Sequence, residues 1–270
     1  MPGPRGDAPY LRPEGSAPAG PIAFAHRGFS PGGGENTLAA FRAAVDLGYR
    51  YLETDVRTSR DGVLMVFHDE TLDRLTEADG PVSAHTAAEL QRLAVEGVDR
   101  IPTLDELLEE WPDVHLNVDV KDAAGAELLA RSVAAHRAGH RVLAASFSER
   151  RRRAAVAASG GVLASSASTP GAAAVLALGP VGLGWAARPL LEGVCAFQVP
   201  VRQKGIRVVT PAFVSRAHRL GLQVHVWVVD DRAEMERLLD LGVDGLVSDR
   251  ADVLAEVMAE RGFWPQRPPA

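Results

Sequence analysis

The chain alternates short apolar runs, rich in β-branched residues, with longer alanine-, leucine- and arginine-rich stretches of helical period. This alternation is typical of repeated βα units around a parallel sheet that is covered on both faces. The predicted strands begin near Ile22, Tyr51, His115, Arg141, Val162, Val194, Leu222 and Asp244. Eight parallel strands can close into a ring with no free edge, and 270 residues suit one such domain. The sequence therefore predicts an α/β fold, a (β/α)8 TIM barrel.

The domain limits follow from the same pattern. Residues 1–20 are rich in proline, glycine and alanine and are expected to form a flexible tail. Residues 21–262 are expected to form the barrel, and residues 263–270 a second tail. Residues 57–101 interrupt the repeat, so we predict a small insertion after the second strand.

Composition disfavours two kinds of partner. The net charge of −6 gives no basic excess that would follow a nucleic-acid backbone. No window approaches the roughly 20 continuous apolar residues that a transmembrane helix needs. Cys195 is the only cysteine, so no disulfide can form within the chain and a buried thiol is expected. We expect a soluble, cytoplasmic protein, and the sequence leaves its oligomeric state open.

Two neighbouring strands are predicted to end in charged side chains on one face. Residues two apart on a strand point the same way, so Glu53 and Asp55 project together at the end of the second strand. Asp119 and Lys121 have the same spacing at the end of the third. A divalent cation between the acids would relieve their repulsion and accept hard oxygen ligands. The alternative is that these acids bind loop amides or surface lysines.

Two histidines are predicted to reach the same rim, where barrel enzymes place their active sites. His26 ends the first strand, and Gly28 permits a sharp turn behind it. His68 follows an extra strand predicted at residues 63–67. Because histidine can give or take a proton near neutral pH, the pair could act as general acid and general base.

The rim residues lie in motifs that occur in a fixed order. These are HRG at His26, ENT at Glu35, ExD at Glu53 and HD at His68, followed by LNVDVK, HVWVVDD and GVDGLVSDR. In this order they resemble the glycerophosphodiester phosphodiesterase family, from about Ile22 to Glu260. The resemblance implies a barrel that hydrolyses a small-molecule glycerophosphodiester to sn-glycerol 3-phosphate and an alcohol.

The resemblance also implies a role for individual residues. The implied roles are binding of one divalent cation, Mg²⁺ or Ca²⁺, by Glu53, Asp55 and Asp119, proton transfer by His26 and His68, and phosphate binding by Arg27 and Lys121. Trp227 either fills the barrel mouth or forms a wall against the substrate, and we favour the wall.

The chain departs from the family pattern at two positions. Asp119 stands where many members have glutamate, so a cation would lie closer to that strand, and Gly34 replaces a common proline. We interpret Asn36 as a cap of the following helix rather than giving it or Glu35 a ligand role. Asp249 is expected either to support the site from behind or to cap the final helix.

Three further features are interpreted as structural. His225 is expected to be a satisfied core residue. The arginine run at residues 150–153 is interpreted as a solvated helix face, and the alanine-rich residues 167–180 as an outer helix.

Two other functions compete with the leading one. A lysophospholipase D or sphingomyelinase D activity would need an apolar groove for an acyl chain, and no apolar insertion is evident. The secreted sphingomyelinases D also carry disulfides that one cysteine cannot form. A non-catalytic barrel that only binds phosphodiesters is conceivable, since a fold alone does not prove activity. The presence of both histidines and all three acids argues against it.

Overall fold

The computed structural model describes residues 8–11, 20–179 and 183–266. The strands are β1 (Ile22–His26), β2 (Tyr51–Thr58), β3 (Leu64–Val66), β4 (Ala94–Val95), β5 (Asp99–Arg100), β6 (His115–Val120), β7 (Val142–Ala145), β8 (Ala164–Ser166), β9 (Val194–Pro200), β10 (Arg202–Gln203), β11 (Ile206–Arg207), β12 (Gln223–Trp227) and β13 (Gly245–Ser248). The helices are α1 (Leu38–Leu47), α2 (Ala87–Leu90), α3 (Leu104–Glu110), α4 (Gly125–Ala135), α5 (Glu149–Ala158), α6 (Thr169–Leu178), α7 (Pro211–Arg219), α8 (Arg232–Asp240) and α9 (Ala251–Glu260). None of these helices is both long enough and apolar enough to cross a bilayer.

Eight parallel strands form a closed barrel, as predicted. Around the ring the order is β1, β2, β6, β7, β8, β9, β12 and β13, and β13 pairs again with β1. The register places His26 beside Glu53 and Asp55 beside Asp119. Side chains from three neighbouring strands therefore meet at one part of the carboxyl rim.

The insertion after β2 has a small core of its own. β3 pairs antiparallel with β2, which confirms the extra strand predicted there. Met65, Phe67 and Ile101 are buried together, and the backbone N of Phe67 donates to the carbonyl O of Asp55 at 3.0 Å. This packing fixes the segment that ends at His68 against the acid-bearing strand.

The amino end of the barrel interior is closed by part of the segment that we expected to be a loose tail. Tyr10 is fully buried and packs edge-on against Tyr51 and His115, with ring centroids 5.5 and 5.7 Å away. Oη of Tyr51 donates to the carbonyl O of Tyr10 at 2.9 Å. The tail expectation is wrong here because an aromatic side chain fills the barrel's lower opening. Residues 1–7 and 12–19 lie outside the described residues.

The second expected tail also packs against the barrel over its described part. The ring of Trp264 meets that of Tyr49 edge-on, 4.7 Å between centroids. The backbone N of Phe263 donates to the carbonyl O of Met258 at 2.8 Å. This segment therefore continues the packing of α9, and residues 267–270 lie outside the described residues.

Candidate active site

A cavity of about 340 Å³ opens at the carboxyl ends of the barrel strands. The residues to which the sequence analysis assigned cation, proton-transfer or substrate roles all line it: His26, Arg27, Glu53, Asp55, His68, Asp119, Lys121 and Trp227. The alternation of side chains along each strand is what aims them inward at one end of the barrel. Their location together is therefore a finding, whereas their chemical roles stay predictions.

Three buried acids and one lysine form the charged floor of the cavity. Glu53, Asp55 and Asp119 are each at most 8% exposed. Nζ of Lys121 lies 2.8 Å from Oδ1 of Asp55 and 2.7 Å from Oδ2 of Asp119. Lys121 therefore meets the carboxylate cluster rather than solvent, as its spacing from Asp119 predicted.

The acids differ in how easily they ionise. Burial, and then the negative charge of Asp55, raise the pKa of Glu53 to about 7. Burial also disfavours the ionised form of Asp55, but Lys121 and Arg27 outweigh it and lower the pKa of Asp55. Burial raises the pKa of Asp119 against the opposing effect of Lys121. A further positive charge would therefore stabilise the ionised forms of Glu53 and Asp119, the two acids whose pKa is raised.

The donor set suits a hard divalent cation. All three acids offer carboxylate oxygens, and Oδ1 of Asp119 is buried with no hydrogen-bond partner in the described part of the chain. Among the residues that the structure describes, no three His, Cys, Asp or Glu side chains converge in a metal-binding geometry. Lys121 bridges Asp55 and Asp119 instead. Cation binding fits the chemistry of these residues and stays a prediction.

His26 is oriented by an acid from the far end of the chain. Its Nδ1 lies 2.6 Å from Oδ1 of Asp249, and its Nε2 lies 3.7 Å from Oε2 of Glu53. Burial alone would lower the pKa of His26, but Glu53 and the hydrogen bond with Asp249 outweigh it, so the pKa is raised. Asp249 thus supports the site by holding the imidazole of His26, as one of the two sequence expectations had it. It does not cap α9, whose N-cap residue is Arg250.

His68 has a similar carboxylate partner. Its Nδ1 lies 2.6 Å from Oδ1 of Asp69, the second residue of the HD motif. A carboxylate on one ring nitrogen fixes the orientation of the ring and leaves the other nitrogen for proton transfer. The two candidate histidines therefore carry equivalent supports from different parts of the fold.

Asn36 belongs to the site and does not cap a helix. Thr37 caps α1, since its side chain accepts from the backbone N of Ala40. Nδ2 of Asn36 donates to Oδ2 of Asp55 at 3.1 Å, and its Oδ1 accepts from Oγ1 of Thr54 at 2.8 Å. Asn36 holds a left-handed φ of 60°, a conformation that asparagine tolerates better than most residues. The cap prediction was wrong because Thr37, directly before the first helical residue, takes the N-cap position and the side chain of Asn36 binds Asp55 instead.

Glu35 joins the insertion to the barrel. Its Oε1 accepts from Nη1 of Arg27 at 2.9 Å and from Nη2 of Arg74 at 2.8 Å. Nε of Arg27 lies 3.1 Å from Oδ2 of Asp55, and Nε of Arg74 donates to Oδ2 of Asp69 at 2.6 Å. A chain of opposite charges thus runs from the acid cluster to the partner of His68. The ENT motif pointed to Glu35, whereas no sequence signal pointed to Arg74.

The opposite side of the cavity is apolar. Trp227 meets Phe147 edge-on, with ring centroids 5.9 Å apart. Ala172, Ala173 and Leu176 of α6 complete this side. The alanine-rich segment is a helix, as predicted, but its small side chains also leave room for the cavity. Trp227 lies where a substrate wall requires, and that role stays a prediction.

Two structural interpretations have different outcomes. His225 is fully buried, with Nε2 2.8 Å from Oε1 of Gln223, so the core position is confirmed. Its Nδ1 is buried without a hydrogen-bond partner in the described part of the chain, so the expectation of a fully satisfied residue is wrong. Arg152 is only 1% exposed, so the solvated-face interpretation is wrong for it. Its guanidinium pairs with Glu149 at 2.7 Å and donates to Oγ of Ser165 at 3.0 Å. This arginine anchors α5 to β8.

Residues 26–253 match the Glycerophosphoryl diester phosphodiesterase family. The chain is 39% identical over 249 residues to a Mycobacterium tuberculosis protein named probable glycerophosphodiester phosphodiesterase 2, covering 91% of this chain and 93% of that one. It is 26% identical to a lysophospholipase D of Rattus norvegicus, covering 87% and 86%. A solved Oleispira antarctica phosphodiesterase in complex with the product sn-glycerol-3-phosphate shares the fold, with a TM-score of 0.71, 24% identity and coverage of 88% and 97%. Since the family match runs from the end of β1 into α9, the chain belongs to the glycerophosphoryl diester phosphodiesterase family.

Proposed function

We propose that this chain hydrolyses glycerophosphodiesters to sn-glycerol 3-phosphate and an alcohol, with a divalent cation and with His26 and His68 as general acid and general base. The observation that carries the proposal is one cavity where two carboxylate-supported imidazoles meet three acids and two basic side chains. The family match and the activity named for the Mycobacterium relative support it.

Phosphate binding falls to two side chains that are already held in place. Arg27 is fixed by Glu35 and Asp55, and Lys121 by Asp55 and Asp119. A donor fixed before substrate arrives, as Arg27 is by Glu35, needs no reorganisation when charge develops on the phosphate oxygens. Lys121 shares its two acids with the proposed cation site. When bound to the three acids, a divalent cation, Mg²⁺ or Ca²⁺, supplies further positive charge and activates a hydroxyl.

Proton transfer falls to the two histidines. One takes a proton from the attacking hydroxyl, which belongs to water or to the glycerol of the substrate, and the other gives a proton to the leaving oxygen. The raised pKa of His26 favours its charged form, the form that a general acid needs. Its position beside Glu53 also keeps it next to the proposed cation site.

The test is turnover of glycerophosphocholine with identification of both products. We expect choline and sn-glycerol 3-phosphate, with activity lost in excess chelator. His26→Ala and His68→Ala should each lower turnover by about 10²- to 10⁴-fold and keep cation affinity. His140→Ala, at an exposed position, is the matched control. Full turnover in chelator would refute the role of the cation. Release of phosphocholine would show that the enzyme cleaves the bond between glycerol and phosphate and not the one between phosphate and choline.

A nitrophenyl ester separates the two histidines. Its leaving group departs as an anion and needs no proton, so only the variant that lacks the general acid should recover much of its rate. Equal rescue of both variants would refute the division of roles.

A second candidate function is cleavage of lysophospholipids, which the apolar side of the cavity favours. Phe147 and apolar side chains of α6 line this side, which supports contact with an acyl chain. One relative is named a lysophospholipase D. Leu176→Asn should lower kcat/KM for lysophosphatidylcholine and leave kcat/KM for glycerophosphocholine unchanged, with Leu47→Asn on α1 as the control. Equal loss on both substrates would show that Leu176 supports the fold and not the acyl chain.

A further inference from the structure

A basic hairpin stands at the cavity mouth on the side away from the insertion. β10 and β11 pair antiparallel to form it, and we call residues 202–207 the rim hairpin. It follows β9, the sixth barrel strand in chain order, whereas the insertion follows the second. In a ring of eight, these two strands lie opposite each other. Gln203 and Val208 line the cavity, so the rim hairpin borders its opening.

The rim hairpin carries three cations without a direct acidic partner. Arg202, Lys204 and Arg207 are exposed, and none forms an ion pair within the described ranges. The sequence has no acid between Glu192 and Asp230. In a chain of net charge −6, such a local basic surface is an exception.

Glu234, an acid whose pKa these cations affect, is already paired with another arginine. The hydrogen bond from Arg237, and more weakly the charges of Arg207 and Arg202, lower the pKa of Glu234. Arg237 holds Glu234 at 2.7 Å. The rim hairpin therefore keeps its positive charge available to an outside partner.

The tip of the rim hairpin adds an exposed apolar side chain. Ile206 is 69% exposed and pairs in register with Gln203, so both project from the same hairpin face, the one that borders the cavity. Lys204 holds a left-handed φ of 49° beside Gly205. Such two-residue turns favour asparagine or glycine, so a lysine there costs stability. The stability of the turn therefore does not explain why a charged residue occupies position 204.

We propose that the rim hairpin docks the enzyme on an anionic lipid surface, with Ile206 entering the interface and Arg202, Lys204 and Arg207 contacting lipid phosphates. Cations next to an apolar tip match the layered chemistry of a membrane surface. A nucleic acid would offer the cations phosphates but no apolar layer for Ile206. Docking there brings the cavity mouth to the lipid and keeps the insertion, with its exposed acids, away from it. The proposal concerns the surface and holds whichever phosphodiester the cavity cleaves.

Vesicle co-sedimentation of the full chain tests the docking. The vesicles contain phosphatidylcholine with or without phosphatidylserine, and binding is expected only with phosphatidylserine. Each surface cation contributes about tenfold or less, so replacing Arg202, Lys204 and Arg207 together by glutamine should weaken binding on the order of 100-fold. The matched control replaces Arg131, Arg137 and Arg219 by glutamine, which changes the net charge equally. Arg131 lies in the C-terminal half of α4, Arg137 follows that helix, and Arg219 is the last residue of α7.

Two single variants separate docking from folding. Lys204→Asn puts a favoured residue at the left-handed position, so it should preserve or raise the melting temperature while weakening vesicle binding. Ile206→Ser should weaken binding by about tenfold, since it removes an apolar side chain from the interface. Turnover of soluble glycerophosphocholine should be unchanged in every hairpin variant.

Three results would overturn the proposal. They are absence of wild-type binding to the phosphatidylserine vesicles, equal loss of binding in the control triple variant, and a parallel loss of turnover on the soluble substrate. The last would show that the cations act on the substrate phosphate and not on a surface.

Discussion

Nδ1 of His26 and Oδ1 of Asp249 lie 2.6 Å apart although 223 residues separate them in the chain. The contact exists because β1 and β13 are neighbours where the barrel closes, with Ala25 in register with Ser248. Barrel closure therefore orients the first candidate histidine. The proton transfer proposed for His26, at the end of β1, therefore depends on correct folding of β13, which positions Asp249.

Asp249→Asn should lower turnover by about 10²-fold, because the imidazole of His26 loses the carboxylate that fixes its orientation. Glu53, and then the hydrogen bond with Asp249, raise the pKa of His26. Losing Asp249 removes part of that effect, so the pKa of His26 falls. The limb of the pH–rate profile that reports His26 should move to lower pH. Asp252→Asn, which removes a surface acid bound to Arg250, is the control. A lower rate with an unmoved profile would contradict the orienting role.

Lys121→Met should lower turnover and raise cation affinity together. The ammonium binds both Asp55 and Asp119, so it competes with a cation for two of three proposed ligands. Removing it should strengthen binding by about tenfold or more in calorimetry at pH 8, since close charges interact strongly in a buried site. Lys204→Met, at the only other lysine of the chain, is the control. Unchanged cation affinity would show that Lys121 and the cation do not share ligands.

Cation affinity should fall as the pH drops below about 7. Burial, and then Asp55, raise the pKa of Glu53 to about 7, so the free enzyme carries protonated Glu53 below that pH. A cation needs the carboxylate and must displace this proton. The affinity should therefore be full above pH 7 and lose up to about tenfold per pH unit below it.

Calorimetry with Mg²⁺ between pH 6 and pH 8 measures this dependence. Glu53→Gln should bind more weakly and show a flatter profile, because the titrating ligand is gone. A wild-type profile as flat as that of Glu53→Gln would exclude Glu53 as the titrating ligand.

Sequence reasoning succeeded where one strand decides the outcome. The alternation along β2 placed Glu53 and Asp55 on one face, and the same argument placed Lys121 with Asp119. Whether two side chains share a face of a strand depends only on the two-residue period of the strand. Whether they reach the site depends on their being at the carboxyl end of that strand. The eight strands followed from the same kind of local pattern.

Sequence reasoning failed where the contact depends on packing between distant segments. Asn36 reaches Asp55 through a left-handed turn that local preference assigns to a helix cap. Tyr10 fills the barrel's lower opening although its neighbours look like a tail. Arg152 is buried within an arginine run that looks solvated. The cytoplasmic location, the absence of nucleic-acid binding and the cation itself stay predictions.

Arg74→Gln should lower turnover with little effect on stability. Arg74 donates to Asp69, the partner of His68, and to Glu35, the partner of Arg27. Its side chain is 51% exposed, so the lost ion pairs should cost roughly 0–1 kcal/mol of unfolding free energy. Both the support of His68 and the anchor of Arg27 loosen, so kcat should fall by about tenfold or more, since general acid–base groups contribute about 10²- to 10⁴-fold.

Three measurements separate this effect on His68 and Arg27 from general damage. Arg74→Lys keeps one charge near Asp69 but cannot hold Asp69 and Glu35 in the same forked geometry, so it should rescue kcat only in part. Arg42→Gln breaks an exposed ion pair with Glu110 of similar exposure and should leave kcat unchanged. Cation affinity should stay that of the wild type, because Arg74 contacts none of the three acids. An Arg74→Gln enzyme with wild-type kcat would show that Asp69 and the insertion core hold His68 without help from the barrel.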